Sequence, residues 1–393
     1  MKQFRMKSYV LFFFVATALL GQSCISIRLA KIEKRARQDS TGIYSTHPSR
    51  PFKYGYAIKR EEVEDYKIDL LRTGIKNGET VASVGAASGW QEGIFSVMTD
   101  SVHYYVQDID TVCLNQDQFS KVVHYYDSLR ERPQTNSFHW QLGKATNTLL
   151  PDHTFDRIII INAFHEIYKA KNSDRIIMDI RDKLLSHGSV VVSDETANIY
   201  KGNLHEGCNQ VATKASVTIE LFKKHGFYLT GMTEPENSFF NDLTFELDET
   251  KGDRFEQKRE TVRPWMELLD RFHEKTTYED SVQTNIIIAR TKPRLKELEE
   301  VYPYISDYLT SIANELPYKI KNIPYIKNIL RANLVLFPQS VNTNIFMGEV
   351  YEYEKDYESA KRCYETALTQ QPEDTYIKKL IEDVAKKIAA ENH

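Results

Sequence analysis

Apolar positions change rhythm twice along the chain, and each rhythm predicts a different kind of structure. Near the start, Tyr9 to Leu20 form an apolar run shorter than the ~20 residues that span a bilayer comfortably, which is the anatomy of a signal sequence. Residues 40–59 carry Gly, Pro, Ser and aromatics without periodicity and read as a tether. Beyond them, short apolar runs alternate with helical patterns. Leu70, Leu71 and Ile75 close an amphipathic helix that Asn77-Gly78 stops. Strands are expected at Thr80 to Val84, Val102 to Val106, Phe138 to Leu142, Phe155 to Ile161, Ser189 to Val192 and Phe227 to Met232. A seventh falls at Leu243 to Leu247 or at Asn285 to Ala289. Ile158 to Ile161 lack polar alternation, as in a strand buried on both faces. The fold class is therefore α/β: a doubly wound, mostly parallel seven-stranded sheet, followed by a small C-terminal α-helical module.

Gly85-Ala86-Ala87-Ser88-Gly89 joins the first strand to a helix starting near Trp90, a strand, small-residue turn and helix in the order a nucleotide cofactor needs. Asp108 follows about twenty residues later, where a carboxylate can accept both hydrogen bonds of a ribose diol. Asp is also a favoured helix N-cap, so Asp110 is expected to cap a helix beginning near Thr111.

With these come Leu149-Leu150-Pro151-Asp152 before Phe155-Asp156, and Asn162-Ala163-Phe164-His165-Glu166-Ile167 after the fourth strand. Together the motifs resemble those of the class I S-adenosylmethionine-dependent methyltransferases, in order, over roughly residues 61 to 290. The resemblance implies a Rossmann-like methyltransferase fold with S-adenosylmethionine as cofactor. It implies cofactor contacts from Ser83, Gly85, Ala87, Gly89, Asp108, Ile109, Ala145 and Asn162. The chain departs from the family pattern at Ser83, where an acid is usual, at Ala87, where glycine is usual, and at Lys144, near an expected adenine partner. In open α/β sheets the ligand lies beyond the carboxyl ends of the strands, which lines up Gly85, Asp108, Asn162, His165, Glu166, Asp194 and Glu195. His165 is the first candidate for a general base and Glu166 the second; both also fit the polar start of a connecting helix.

From Thr291 the sequence reads as helical, with Leu295, Leu298, Tyr302, Ile305 and Leu309 on one apolar face. Met347-Gly348, Tyr351, Ala360, Tyr364, Ala367 and Pro372 resemble a tetratricopeptide repeat, and Pro338 precedes Pro372 by one 34-residue period. Asn333 stands where the preceding repeat would have alanine, and Tyr376 to Ala389 resembles a capping helix. Such repeats bind proteins or pack against their own chain, and both roles are open here. The expected organisation is a signal at 1–24, a tether at 25–60, a methyltransferase-like domain at 61–292 and a helical domain at 293–393 holding the repeat at 338–372.

Composition adds few constraints. At 41% hydrophobic and 27% charged residues the chain is expected to fold, and a formal net charge of -4 gives no drive toward nucleic acid. Cys24, Cys113, Cys208 and Cys363 form no C-x-x-C pair, and His205-x-x-Cys208 is half a metal motif without visible partners, so no metal is expected. Lys2, Arg5 and Lys7 precede the apolar run and Gly21-Gln22-Ser23-Cys24 follows it, resembling a bacterial lipoprotein signal in which Cys24 is lipidated. That reading gives an exported protein held at a membrane. The rival is an uncleaved anchor with the body facing the cytoplasm, where S-adenosylmethionine is made; Arg28, Lys31, Lys34, Arg35 and Arg37 fit that orientation. Two functions follow: a methyltransferase acting on an unspecified acceptor, or a catalytically degenerate methyltransferase-fold lipoprotein that binds or scaffolds, as Ser83, Ala87 and Lys144 suggest.

Overall fold

The computed structural model describes residues 57–196, 212–236, 238, 240–316 and 322–391. The expected signal at 1–24 with Cys24, most of the expected tether at 25–60, and the pair His205 and Cys208 lie outside the described residues. Of the described residues, those up to 266 together with 294–308 form one compact unit, and 267–293 together with those from 309 onward form the other.

The first unit is built on seven strands: β1 (Thr80–Val84), β2 (His103–Asp108), β3 (Ser137–Leu142), β4 (Phe155–Ile161), β5 (Leu184–Glu195), β6 (Tyr228–Met232) and β7 (Phe240–Glu246). Their order is β3-β2-β1-β4-β5-β7-β6. The first five run parallel and β7 is antiparallel to both β5 and β6. This is the mostly parallel, Rossmann-like sheet expected from the apolar runs. The seventh strand is the run near Leu243; Asn285 to Ala289 lie in a helix instead.

Helices α1 (Lys67–Thr73), α2 (Trp90–Met98), α3 (Gln116–Asp127), α4 (Phe164–Lys169), α5 (Ser173–Lys183) and α6 (Ala215–Lys224) connect and flank the strands. Val81, Phe95, Tyr104, Ile159 and Val191 are all buried in one cluster, joining four adjacent strands to α2. Each such side chain contributes roughly 1.5–3 kcal/mol by leaving water. Two boundaries differ from expectation. Gly74, at φ 68, ends α1 before Asn77-Gly78 is reached, because its left-handed backbone closes the last turn. Asp110 does not cap α3. Its Oδ1 accepts from the Val112 amide at 2.7 Å in a local turn, and Asn115 caps the helix by accepting from the Gln118 amide at 3.1 Å.

Helix α7 (Glu249–Asp270) follows β7, and α8 (Lys275–Glu279), α9 (Ser281–Thr291), α10 (Leu295–Val301), α11 (Tyr308–Glu315), α12 (Ile323–Leu336), α13 (Val341–Tyr353), α14 (Tyr357–Gln370) and α15 (Thr375–Glu391) complete the chain. The apolar positions expected on one helix face fall in separate pieces, Leu295 and Leu298 in α10, Tyr302 at its end, Ile305 in a 3-10 turn and Leu309 in α11, with Pro303 in the break. In the helical unit Gly348 lets α13 approach α14: a Cβ there would meet Tyr364 Cε1 at 2.4 Å. Asn333 is fully buried and donates to the hydroxyls of Thr310 at 3.0 Å and Thr343 at 2.5 Å, which accounts for a polar residue in that interior.

Candidate functional site

Strand order reverses between β1 and β4, and the crevice above that switch point is where open α/β sheets take their ligands. The first wall of the crevice is the turn from β1 to α2. Gly85 and Gly89 have φ of 74 and 78, the left-handed conformation glycine tolerates. A Cβ on Gly85 would lie 2.6 Å from the Ala163 Cβ, so the turn sits directly against the end of β4. The amides of Gly85 and Ala86 both donate to the Gln107 carbonyl, at 2.9 and 3.0 Å, tying the turn to β2. Ala87 also adopts a left-handed backbone, φ 51, although it carries a methyl group.

Asp108 ends β2 and faces this turn. Its Oδ2 accepts from the Ala87 amide at 2.7 Å and its Oδ1 from the Asp110 amide at 2.8 Å. A carboxylate has about four acceptor sites, so with amides of Ala87, Asp110 and Ile109 on it Asp108 retains capacity for a hydroxyl. Burial raises the Asp108 pKa, and hydrogen bonds from Asp110, Ala87 and Ile109 oppose the rise. The Asp108 carbonyl accepts from the Gly143 amide at 2.9 Å, which brings the turn holding Ala145 alongside; Ala145 is exposed at its tip. Ile109 is 57% exposed, a large apolar side chain left in solvent next to the carboxylate.

The second wall comes from the ends of β4 and β5. Asn162 has φ 51, a conformation Asn accepts more readily than most residues, and its amide donates to the Ser193 carbonyl at 2.8 Å. His165 is 1% exposed. Its Nδ1 lies 3.0 Å from both oxygens of Asp194, and its amide donates to Asp194 Oδ2 at 3.0 Å. A carboxylate can only accept, so Nδ1 carries the proton. Burial pulls the His165 pKa down, but the hydrogen bond and charge of Asp194, with Glu166 and Glu195, outweigh it and leave it raised. Glu166 itself is exposed and does not join the His165–Asp194 pair.

Three groups that the sequence did not single out complete the surroundings. Glu92, in the first turn of α2, is 1% exposed, with the Ser83 hydroxyl beside its carboxyl. Burial pushes it up to about 7, opposed by the Ser83 hydroxyl beside it. Ser83 is itself buried at 2%, and the neighbouring Ser88 Oγ in the turn is buried without a partner. On the β5–β7 side, Arg72 reaches Glu234 at 3.3 Å and Asp242 at 3.5 Å and lies over the Tyr304 ring at 4.5 Å. Burial pushes Glu234 up to about 8 despite the Arg72 charge. Finally, Asn241 and Asp242 on β7 pair with Asp194 and Ser193 on β5, at the same end of the sheet as His165.

No protein-family model matches the chain, and no curated protein matches it. Among solved structures it is similar to a TehB-like SAM-dependent methyltransferase from Corynebacterium glutamicum, with 15% identity over 48% of this chain and 88% of that one, TM-score 0.34. It is also similar to a SAM-dependent methyltransferase from Aquifex aeolicus, 15% identical over 48% of this chain and 98% of that one, TM-score 0.37. A third is the phosphoethanolamine N-methyltransferase 2 of Haemonchus contortus, solved with phosphomonomethylethanolamine and S-adenosylhomocysteine, 17% identical over 49% of this chain and 43% of that one, TM-score 0.34. The fold assignment rests on the strand order itself.

Proposed function

We propose that the chain is an S-adenosylmethionine-dependent methyltransferase. The observation that carries the proposal is Asp108, whose carboxylate is fixed against the Gly85–Gly89 turn at the switch point with acceptor capacity to spare. The residues present fit an adenosyl group with an amino-acid tail. Gly85 lets the turn close against Ala163 at the end of β4, Ile109 offers an apolar surface beside Asp108, and the orphaned Ser88 hydroxyl lies in the turn. When bound, the cofactor supplies an electrophilic methyl group on a sulfonium. The protein's share is to bind and orient: Asp108 takes the ribose hydroxyls, and the Gly85 turn lets the backbone approach. His165, oriented through Nδ1 by Asp194, is the candidate group to take up the proton an oxygen or nitrogen acceptor loses.

Isothermal titration with S-adenosylhomocysteine tests this reading. Micromolar binding by the wild type is expected, with a loss of at least about tenfold in Asp108→Ala, equivalent to one to two hydrogen bonds to a charged group. Absence of binding at millimolar ligand would refute it. The rival reading, a binding or scaffold protein, draws on the Ala87 methyl group in the turn and predicts that absence. The reading extends to the appended parts: the helical unit as a tetratricopeptide-type surface for a protein partner, and Cys24 as a lipid attachment point holding the protein at a membrane.

A further inference from the structure

The chain comes back to the sheet after leaving it. Residues 267–293 belong to the helical unit, yet 294–308 rejoin the sheet-containing unit before the chain departs again at 309. The returning segment is fastened by a knot of side chains at one end of β7. The Tyr304 amide donates to the Thr233 carbonyl at 3.1 Å, and the Arg72 guanidinium lies over the Tyr304 ring at 4.5 Å. Arg72 reaches Asp242 at 3.5 Å and Glu234 at 3.3 Å. Asp242 is 1% exposed and accepts from the hydroxyls of Ser193 and Thr233, the latter at 2.8 Å. The Thr233 amide in turn donates to the Asp242 carbonyl at 3.2 Å. Such a knot resists opening, because removing one member leaves a buried charge uncompensated.

The knot and His165 sit on opposite faces of one ladder. In the register of β5 with β7, Ser193 opposes Asp242 and Asp194 opposes Asn241, and successive residues of a strand point to opposite faces. Asp242 therefore holds Ser193 on one face, while Asp194, the next residue, holds the His165 amide and Nδ1 at 3.0 Å on the other. The Ser193 carbonyl also takes the Asn162 amide at 2.8 Å, three residues before His165. A displacement of about half an ångström at this strand end would carry the bonds to Asp194 out of the ordinary hydrogen-bonding range. We propose that residues 302–307 form a positioning strap for His165: with Tyr304 against Arg72, they fix the end of β7 and, through it, the Asp194 carboxylate that orients the imidazole. The inference goes beyond the methyltransferase reading and rests on it only for the use to which His165 is put. Arg72 and Tyr304 act through the strand and take no part in the chemistry.

The His165 ring reports on the strap by NMR of the full chain, isotope-labelled at histidine, with His165→Gln to assign the signal. In the wild type its pKa is raised: burial opposes, but Asp194, Glu166 and Glu195 outweigh it. Tyr304→Ala removes the ring against Arg72 and no charge. It should lower the proton affinity of His165 by about three- to tenfold as Asp194 moves off. Tyr304→Phe keeps a ring for the cation and should leave that affinity unchanged. In Arg72→Gln the sign decides, because loss of a cation raises a histidine pKa by charge alone, whereas release of Asp194 lowers it; a fall is expected. A rise or no change in Arg72→Gln, no change in Tyr304→Ala, or equal falls in both Tyr304 variants overturns the inference. Should Arg72→Gln fail to fold, the two Tyr304 variants decide. Affinity for S-adenosylhomocysteine should stay within about twofold in Tyr304→Ala, since Asp108 lies on the other wall; a loss of about tenfold marks general loosening and overturns the inference too. A wild type that binds no S-adenosylhomocysteine removes the methyltransferase reading, while the NMR result stands by itself.

Discussion

Ala87 offers the most direct check on how the turn is built. Its φ of 51 is a left-handed backbone that costs a residue with a Cβ about 1–2 kcal/mol. The conformation is held because the Ala87 amide donates to Asp108 at 2.7 Å. Replacement by glycine removes the strain but gives the unfolded chain more freedom, about 0.4–1 kcal/mol against folding. The sum predicts Ala87→Gly to range from neutral to about 1.6 kcal/mol more stable. Ala86, next in line and without a positive φ, is the control; Ala86→Gly should lose about 0.5–1 kcal/mol in the usual way. Urea unfolding followed by tryptophan fluorescence measures this cleanly, since Trp90, Trp140 and Trp265 all belong to the sheet-containing unit. An equal loss in both variants would refute the strain argument and, with it, the claim that the turn has its present shape because Asp108 imposes it.

Three further outcomes are expected. Glu92 titrates near 7 in the fold against an ordinary value of 4.5, so its contribution to stability is complete below pH 4.5 and is lost as pH rises to about 7. The loss is at most about 3 kcal/mol, and urea midpoints of Glu92→Gln should overtake those of the wild type between those pH values. Asp194→Asn should lower the raised pKa of His165, read from its ring protons by NMR. The wild-type pair's stabilisation is full below the ordinary histidine value of about 6.5 and lost as pH rises through the elevated one, a loss the variant should not show. In the helical unit Gly348→Ala would gain about 1 kcal/mol of helix propensity, yet its methyl group would meet Tyr364 at 2.4 Å, so a net destabilisation of about 1–3 kcal/mol is expected in thermal melts.

The sheet was legible because its strands are apolar runs that no helix period explains, and β4 was read to its boundaries. The choice between Leu243 and Asn285 was not, because Ile286, Ile287 and Ile288 suit a strand locally. Asp280 accepts from the amides of Val282 and Gln283 and starts a helix there, leaving Ile287 buried and Ile286 43% exposed. Asp108 could be found from its spacing alone. Glu92 could not: a glutamate in a first helical turn is ordinary, favoured by the helix dipole, and only the packing of α2 on the sheet makes it strange. Asp194 was visible as an acid at a strand end, but its grip on His165 spans 29 residues, and that of Arg72 on Glu234 spans 162. A sequence carries no local mark of such pairings.

The antiparallel insertion of β7 between β5 and β6 has an outcome for how the molecule can change. It divides the crevice into two banks encoded far apart: one drawn from the nearly continuous stretch 83–145, the other assembled from 162–166, 193–195 and 240–242. Alterations in the hairpin of β6 and β7 can remodel one bank of the crevice while the other, carried by a separate stretch of chain, keeps its shape.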